Sequence, residues 1–237
     1  MAANYGVLAF GDSITNGGGE LQWGVALQSW ALWVARALGL PFTGYATDGA
    51  RAPDVVGAQI PAFLSRAAAP DGPYELGCLY VGVNDVRGFD WDAAAYDVDV
   101  RRALAFLAGR CERVVTLTIP LDLGRPRAGA KVAQADAIIE RAAAEHGALV
   151  VDLRDFGGRR HVMADHVHPT AFGQIAIAER ALAVLAADGL PPKVAPSSLI
   201  SYKTTVIGRA RGAATYAYRR AKIEAKALVK QLAARVG

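Results

Sequence analysis

The sequence predicts an α/β protein, a parallel sheet of five strands with helices on both of its faces. Three observations predict it. Short apolar runs alternate with longer amphipathic stretches over the first 190 or so of the 237 residues. Most of the short runs carry several β-branched or aromatic residues and end in turn formers. The last four are largely apolar on both alternations, the pattern of strands covered on both faces.

The strands are read at Tyr5–Phe10, Pro41–Tyr45, Glu75–Val81, Arg113–Ile119 and Ala148–Leu153. Between and after them, Val25–Leu38, Asp54–Ala68, Asp92–Ala108, Ala128–His146 and Thr170–Ala187 read as helices. The first of these places Leu27, Trp30, Val34 and Leu38 at spacings of three and four, and Gly39 and Pro41 stop it. Right-handed crossovers follow from strand and helix chirality. Sites in such sheets lie beyond the carboxyl ends of the strands.

The chain divides into a body over 1–188, a Pro- and Ser-containing connection over 189–202, and a helical extension over 203–237. Residues 193–237 hold ten Lys or Arg against the single acid Glu224, while the other 192 hold 16 basic and 21 acidic side chains. The net charge of +4 therefore describes a mildly acidic body with a basic tail. In that tail Ile207, Ala210, Ala214, Ala217, Ala221, Ala225, Leu228 and Leu232 make one apolar stripe at helical spacing. Arg211, Arg219, Lys222, Lys226 and Lys230 lie on a broad opposite face. Such a helix suits an anionic membrane surface, an acidic partner, or packing on its own body or a second subunit. Nucleic acid is not expected, because the body is acidic and no recognition motif accompanies the charge.

With 53% hydrophobic and 20% charged residues the chain is neither disordered nor collagen-like. Cys78 and Cys111 are too few for a disulfide framework, and no run reaches the roughly 18 apolar residues of a membrane span. The N-terminal residues lack a secretory pattern, so a reduced, cytoplasmic setting is expected, with the tail allowing peripheral contact with a membrane.

Four short motifs follow strands. Gly11-Asp12-Ser13 puts a hydroxyl at a strand's carboxyl end, where it serves as a nucleophile if a base lies within reach, or as a turn or cap residue if none does. Gly49, in Thr47-Asp48-Gly49-Ala50, exposes a backbone N–H, or simply supplies a positive φ. Gly82-Val83-Asn84-Asp85 offers an amide that can donate to an oxyanion, or closes a turn. Asp165-His166-Val167-His168-Pro169 spaces a carboxylate three residues from an imidazole that it can orient, or forms a helix entry. His161, His166 and His168 also suggest a metal, but no acidic or Cys partner at zinc-like spacing accompanies them.

In combination and order these four blocks resemble the SGNH hydrolases, the GDSL esterase/lipase family, over residues 5 to about 187. The resemblance implies a three-layer α/β/α sandwich with a five-stranded parallel sheet, the flavodoxin-like SGNH hydrolase fold, here followed by the basic C-terminal helix. It implies Ser13 as nucleophile, His168 as base and Asp165 as the residue that orients it. The oxyanion hole is then the Ser13 and Gly49 N–H groups with the Asn84 side chain, and no cofactor or metal is implied. Two positions depart from the family pattern: Thr47 stands where Asn is usual, and Thr15 where Leu is common. Asp12 and Asp85 are read as carboxylates that hold the loops. The function implied is hydrolysis of a carboxylic ester through a Ser13 acyl-enzyme, with an O-acetyl or short acyl group favoured. Thioester hydrolysis and acyl transfer use the same residues. The substrate is a small molecule or an acylated glycan or lipid. The rim supplies Trp23, Phe89 and Trp91 for sugars or acyl chains, and Arg87, Arg125, Arg127, Arg159 and Arg160 for anionic groups.

Overall fold

The computed structural model describes residues 5–20, 25–66, 73–200 and 205–236, and side chains up to residue 229. Strands β1 (Val7–Gly11), β2 (Phe42–Gly44), β3 (Leu76–Tyr80), β4 (Val114–Leu117) and β5 (Leu149–Val151) form one wholly parallel sheet in the order β2-β1-β3-β4-β5. The helices are α1 (Ser13–Asn16), α2 (Trp30–Leu38), α3 (Ala52–Asp54), α4 (Ile60–Leu64), α5 (Val83–Arg87), α6 (Ala93–Ala108), α7 (Ala130–His146), α8 (Ala171–Ala187) and α9 (Val206–Val236).

The strand order sets the layers. The β1–β2 connection moves to one side of β1, and every later connection moves to the other, so right-handed crossovers put α2 on one face and α3, α6 and α7 on the opposite one. Helix α2 accordingly packs with α8, and α6 with α7 and α3. The fold is the expected three-layer sandwich. Every residue of β1, β3 and β4 is buried, as their apolar sequences require, whereas β2 and β5 are the sheet's edges and are partly exposed. Beneath β1, Phe10 meets Tyr45, Phe63 and Phe106 at ring separations of 5.7 to 6.2 Å. Burying each such ring contributes about 1.5–3 kcal/mol.

Two helices differ from their sequence reading. The helix expected from Val25 begins at Trp30, where Ser29 caps it by accepting from the Leu32 N–H, and residues 25–28 lie outside any helix. The helix expected over Asp54–Ala68 is broken into α3, a wider π-turn at Val55–Gln59, and α4. Pro61 explains the break, since it has no N–H to return to the Gly57 carbonyl four residues back. Residues 67 and 68 lie outside the described part of the chain.

Residues 189–200 run along the body, with the Lys193 N–H donating to the Ala37 carbonyl at 2.8 Å and Pro196 buried. The extension then forms α9, 31 residues long. Its inner side is the half-buried row Gly208, Gly212, Ala213, Tyr216, Ile223 and Ala227. There Arg219 pairs with Glu20, and Arg159 lies 4.9 Å over the Tyr216 ring. The apolar stripe read from the sequence points outward instead: Ile207, Ala210, Ala214, Ala217, Ala221, Ala225 and Leu228 are all exposed. The side chains of Lys230 and Leu232, and all of Lys203, lie outside the described residues. Among the described residues no helix is long and apolar enough to cross a membrane.

Candidate active site

The carboxyl ends of β1 and β3 and the loops after β2 and β5 converge on Ser13. Strand β1 ends at Gly11, whose φ of 147° and closeness to β3 exclude a side chain: a Cβ there would stand 2.3 Å from the Tyr80 carbonyl oxygen. Asp12 then caps α1 by accepting from the Ile14 N–H at 2.9 Å. Ser13 is thus the first residue of a helix, where the backbone N–H has no acceptor within the helix.

His168 comes from the loop that leads into α8. Its ends are pinned, the Met163 N–H donating to the His168 carbonyl at 2.9 Å and the Thr170 N–H to the His161 carbonyl at 2.8 Å. Asp165 Oδ1 accepts from the backbone N–H groups of Val167 and His168, at 3.0 and 3.1 Å. Its Oδ2 accepts from His168 Nδ1 at 2.7 Å. With the ring proton on Nδ1, His168 Nε2 is the acceptor for the Ser13 hydroxyl, 3.1 Å away. One hydrogen-bonded line therefore joins Ser13, His168 and Asp165.

The electrostatics suit a base. The bond to Asp165 raises the His168 pKa above its usual value against the opposing effect of burial; Asp12 adds to the rise and the Arg87 charge works against it. Burial pushes Asp165 up, but the His168 bond and the two backbone N–H groups outweigh it and hold the carboxyl below its ordinary range.

Asn84 sits in the first turn of α5 and donates one Nδ2 hydrogen to the Ala50 carbonyl at 3.0 Å. A primary amide has two hydrogens, so the bond fixes the side chain and leaves the other to donate. The same bond ties Asn84 to the loop of Gly49, which has a φ of 79° and no atom within 4 Å of a would-be Cβ. Asp85 accepts from the Ala52 N–H at 3.0 Å, lacing the two loops together. Burial raises Asp12 to about 7 and Asp85 to about 6. Both act as loop-holding carboxyls.

Two buried glutamines complete the frame, and the motifs did not single them out. Gln59 accepts from the Gly11 N–H (3.0 Å) and donates to the Gly11 carbonyl (2.8 Å) and to Thr47 Oγ (3.2 Å). Thr47, the departure from the family pattern, is thereby tied to the nucleophile strand. Gln174 accepts from the Trp30 N–H (2.7 Å) and donates to the Ile14 (2.9 Å) and Gly18 (3.1 Å) carbonyls. The available signal was a polar residue inside an apolar helical face, between Val55 and Phe63 and between Phe172 and Ile177.

The histidines do not converge. His166 bonds Asp122 and Arg125 at 3.0 Å each, and His161 stacks on Phe156 at 5.6 Å. Among the described residues no three His, Cys, Asp or Glu side chains are grouped to hold a metal. At the rim, Trp91 bonds Gln134 and packs on Tyr96, a structural position, while Phe89 is fully exposed and Trp23 lies outside the described residues. A small, mainly apolar hollow is lined by Ile14, Tyr80, Leu153, Phe156, Val167 and Ile177 but by neither Ser13 nor His168.

A family model described as the GDSL-like lipase/acylhydrolase family matches residues 9–175. The chain belongs to this family. Its members are carboxylic ester hydrolases, and the matched stretch runs from β1 into α8. Solved structures share the fold. An acetyl xylan esterase from Geobacillus stearothermophilus is 19% identical with a TM-score of 0.58, covering 78% of this chain and 97% of that one. The α/β hydrolase LAE5 from the metagenome of Lake Arreo, Spain, is 20% identical with a TM-score of 0.58 over the same shares. A lipolytic G-D-S-L family protein from Veillonella parvula is 23% identical with a TM-score of 0.59, covering 76% and 97%. No curated protein matches the sequence.

Proposed function

We propose that this GDSL-family chain is a serine esterase in which Ser13 attacks the ester carbonyl while His168 Nε2 takes its proton. Asp165 holds the imidazole in the required tautomer and balances the imidazolium as it forms. The Ser13 and Gly49 N–H groups and the Asn84 amide meet the oxyanion of the tetrahedral intermediate. His168 then gives its proton to the departing alkoxide. Water, deprotonated by the same ring, attacks the acyl-enzyme and releases the acid and free Ser13. The observation that carries this reading is the unbroken hydrogen-bonded line from Ser13 Oγ through His168 to Asp165.

The substrate proposed is an O-acetyl or short acyl ester of a small molecule, glycan or lipid. Supporting it, the rim around Gly49 and Asn84 is a shallow open depression rather than a deep tunnel. The neighbour from Geobacillus is itself an acetyl xylan esterase. A thioester or an acceptor alcohol in place of water passes through the same intermediate. The test is hydrolysis of p-nitrophenyl acetate, butyrate and octanoate by wild type and Ser13→Ala, with a fluorophosphonate label sought on Ser13. Equal activity in both proteins together with an unlabelled Ser13 ends the proposal.

For α9 the reading is that its outer stripe rests on anionic lipid. Val206, Ile207, Tyr218, Leu228 and Val229 are 57–72% exposed there, and Arg211, Lys222 and Lys226 are exposed on the same helix. Sedimentation with phosphatidylglycerol vesicles should pull down the full chain, weaken with salt, and fail for Ile207→Asp/Leu228→Asp. Salt-independent self-association lost in the same variant would assign the stripe to a second copy instead.

A further inference from the structure

Most cations around the site are occupied. Arg51 pairs with Asp90 at 2.8 Å, and Arg125 and Arg127 both pair with Asp122. Arg159 lies over Tyr216, Arg160 over Phe172, and Lys131 donates to the Gly88 carbonyl. Arg87 differs. Among the described residues it makes neither an ion pair nor a hydrogen bond, although acidic side chains stand on the neighbouring loops.

Three observations place it beside the site. Arg87 is the last residue of α5 and follows Asn84 by three, so both project from one face of that short helix. Its side chain leans across the crevice to the loop after β4, where a Cβ on Gly124 would lie 3.6 Å from Arg87 Nε. That loop is joined to the base loop, the Gly124 N–H donating to the His166 carbonyl at 2.7 Å. Finally, Arg87 lines the same open depression as Gly49 and Asn84, which Arg51, Phe89 and Asp90 also border.

We propose that Arg87 anchors a negatively charged group of the ester substrate, a carboxylate or phosphate lying in the depression beside Gly49 and Asn84, so that the site prefers acidic esters to neutral ones. The inference rests on the Ser13 esterase reading and deepens it. A guanidinium suits the role because its planar fork meets a carboxylate or phosphate with two parallel hydrogen bonds. Its guanidinium is solvent-exposed, so an anion can reach it. It stands close enough to His168 to oppose protonation of the ring, which the reaction requires, and a bound anion cancels that opposition. The neighbouring arginines cannot substitute for it, since each would first have to leave its carboxylate or ring.

The test uses the full chain and matched ester pairs that differ in one charge. 4-Acetoxybenzoate against methyl 4-acetoxybenzoate places the anion on the leaving group, and the p-nitrophenyl monoester of adipic acid against p-nitrophenyl hexanoate places it on the acyl group. The readout is the ratio of kcat/KM for the anionic ester to that for its neutral mate. In wild type the ratio should exceed that of alkaline hydrolysis for one of the pairs, and the pair that responds locates the charge. Arg87→Gln should lower that ratio by about 10- to 100-fold, the range of a hydrogen bond to a charged group. Arg87→Lys should restore part of it, and added salt should shrink the wild-type preference. A ratio that Arg87→Gln leaves unchanged in both pairs overturns the inference while the esterase reading stands. Failure of wild type to hydrolyse any of the four esters overturns the nucleophile assignment and this inference together.

Discussion

Replacing Asp165 by Asn isolates what the carboxylate contributes to the base. The carboxylate makes three bonds, two from backbone N–H groups to Oδ1 and one from His168 Nδ1 to Oδ2. An Asn in the same rotamer keeps its oxygen on the two backbone donors, so the loop stays closed. Its NH2 group then faces Nδ1 and cannot accept from it. The ring responds by carrying its proton on Nε2, which turns an N–H rather than a lone pair toward Ser13. The variant also loses the charge that balances the imidazolium in the transition state. A wrong tautomer combined with the lost ion pair costs serine proteases about 10⁴ in kcat, or roughly 5.5 kcal/mol. The same geometry here predicts a fall of about 10³–10⁴. The pH profile gives a second reading. Asp165 is the largest influence raising the His168 pKa, whereas burial and Arg87 lower it. Because the base must be neutral, activity rises with pH through that pKa, and in Asp165→Asn the acidic limb of kcat/KM should move to lower pH as the plateau drops. Initial rates on p-nitrophenyl acetate from pH 5 to 9, with thermal melts to confirm folding, supply both measurements. A variant within about 10-fold of wild type, or an unmoved acidic limb, would refute the reasoning.

Three further outcomes follow from the same contacts. Asn84→Ala should lower kcat by about 10²–10³ while KM changes little, because the amide's second hydrogen is used only when the oxyanion forms; steady-state kinetics on the same ester checks it. Gln59→Leu leaves the Gly11 N–H without its partner and the Gly11 carbonyl with the Thr47 N–H alone, and should cost about 1–3 kcal/mol in urea unfolding, with activity falling as Ser13 loses its anchor. Asp12→Asn keeps the cap on α1 but removes a carboxyl raised from 3.8 to about 7 by burial. A raised carboxyl binds more protons folded than unfolded, so its effect is to lower stability as pH climbs from about 4 to 7 and to leave it level beyond. The variant should therefore gain on wild type across that window, by on the order of 4 kcal/mol, in melts run from pH 4 to 8.

Apolar runs located all five strands, most plainly the central ones, because a buried parallel strand is apolar on both faces, and the β3 run Leu76–Tyr80 has few other readings. The capped helices were legible too, Asp92 and Thr170 standing at the N-caps of α6 and α8. The order of the strands in the sheet was not written locally, and neither was the π-turn at Val55–Gln59. Its cause, Pro61, is visible in the sequence, but its use is not: the widened turn carries Gln59, whose side chain bonds Gly11, 48 residues away. The tail shows the opposite limit. Its most apolar stripe was plain in the sequence, yet the face that meets the body is the row through Gly208, Gly212 and Tyr216. On that side Arg219 pairs with Glu20 and Tyr216 lies under Arg159, contacts that the apolar stripe does not encode.

The four motifs name the groups proposed to react, but the spacing between those groups is set elsewhere. The nucleophile side is one unit, in which Gln59 joins β1 to Thr47, Asn84 holds Ala50, and Asp85 holds Ala52. The base side is another, closed by Asp165 on its own backbone and by His166 on Gly124. Each unit is stiff within itself, and a shift of either by 1 Å would break the 3.1 Å bond between Ser13 and His168. What joins them is a short seam at the start of α8. Gln174 reaches back to the carbonyls of Ile14 and Gly18, and the Ala171 N–H donates to the Glu20 carbonyl at 3.1 Å. Gly173 lets this seam close, since a Cβ there would stand 2.0 Å from the His161 carbonyl oxygen. Glu20 is also the partner of Arg219 of α9, so the ion pair of the extension falls at the seam between the two halves of the site.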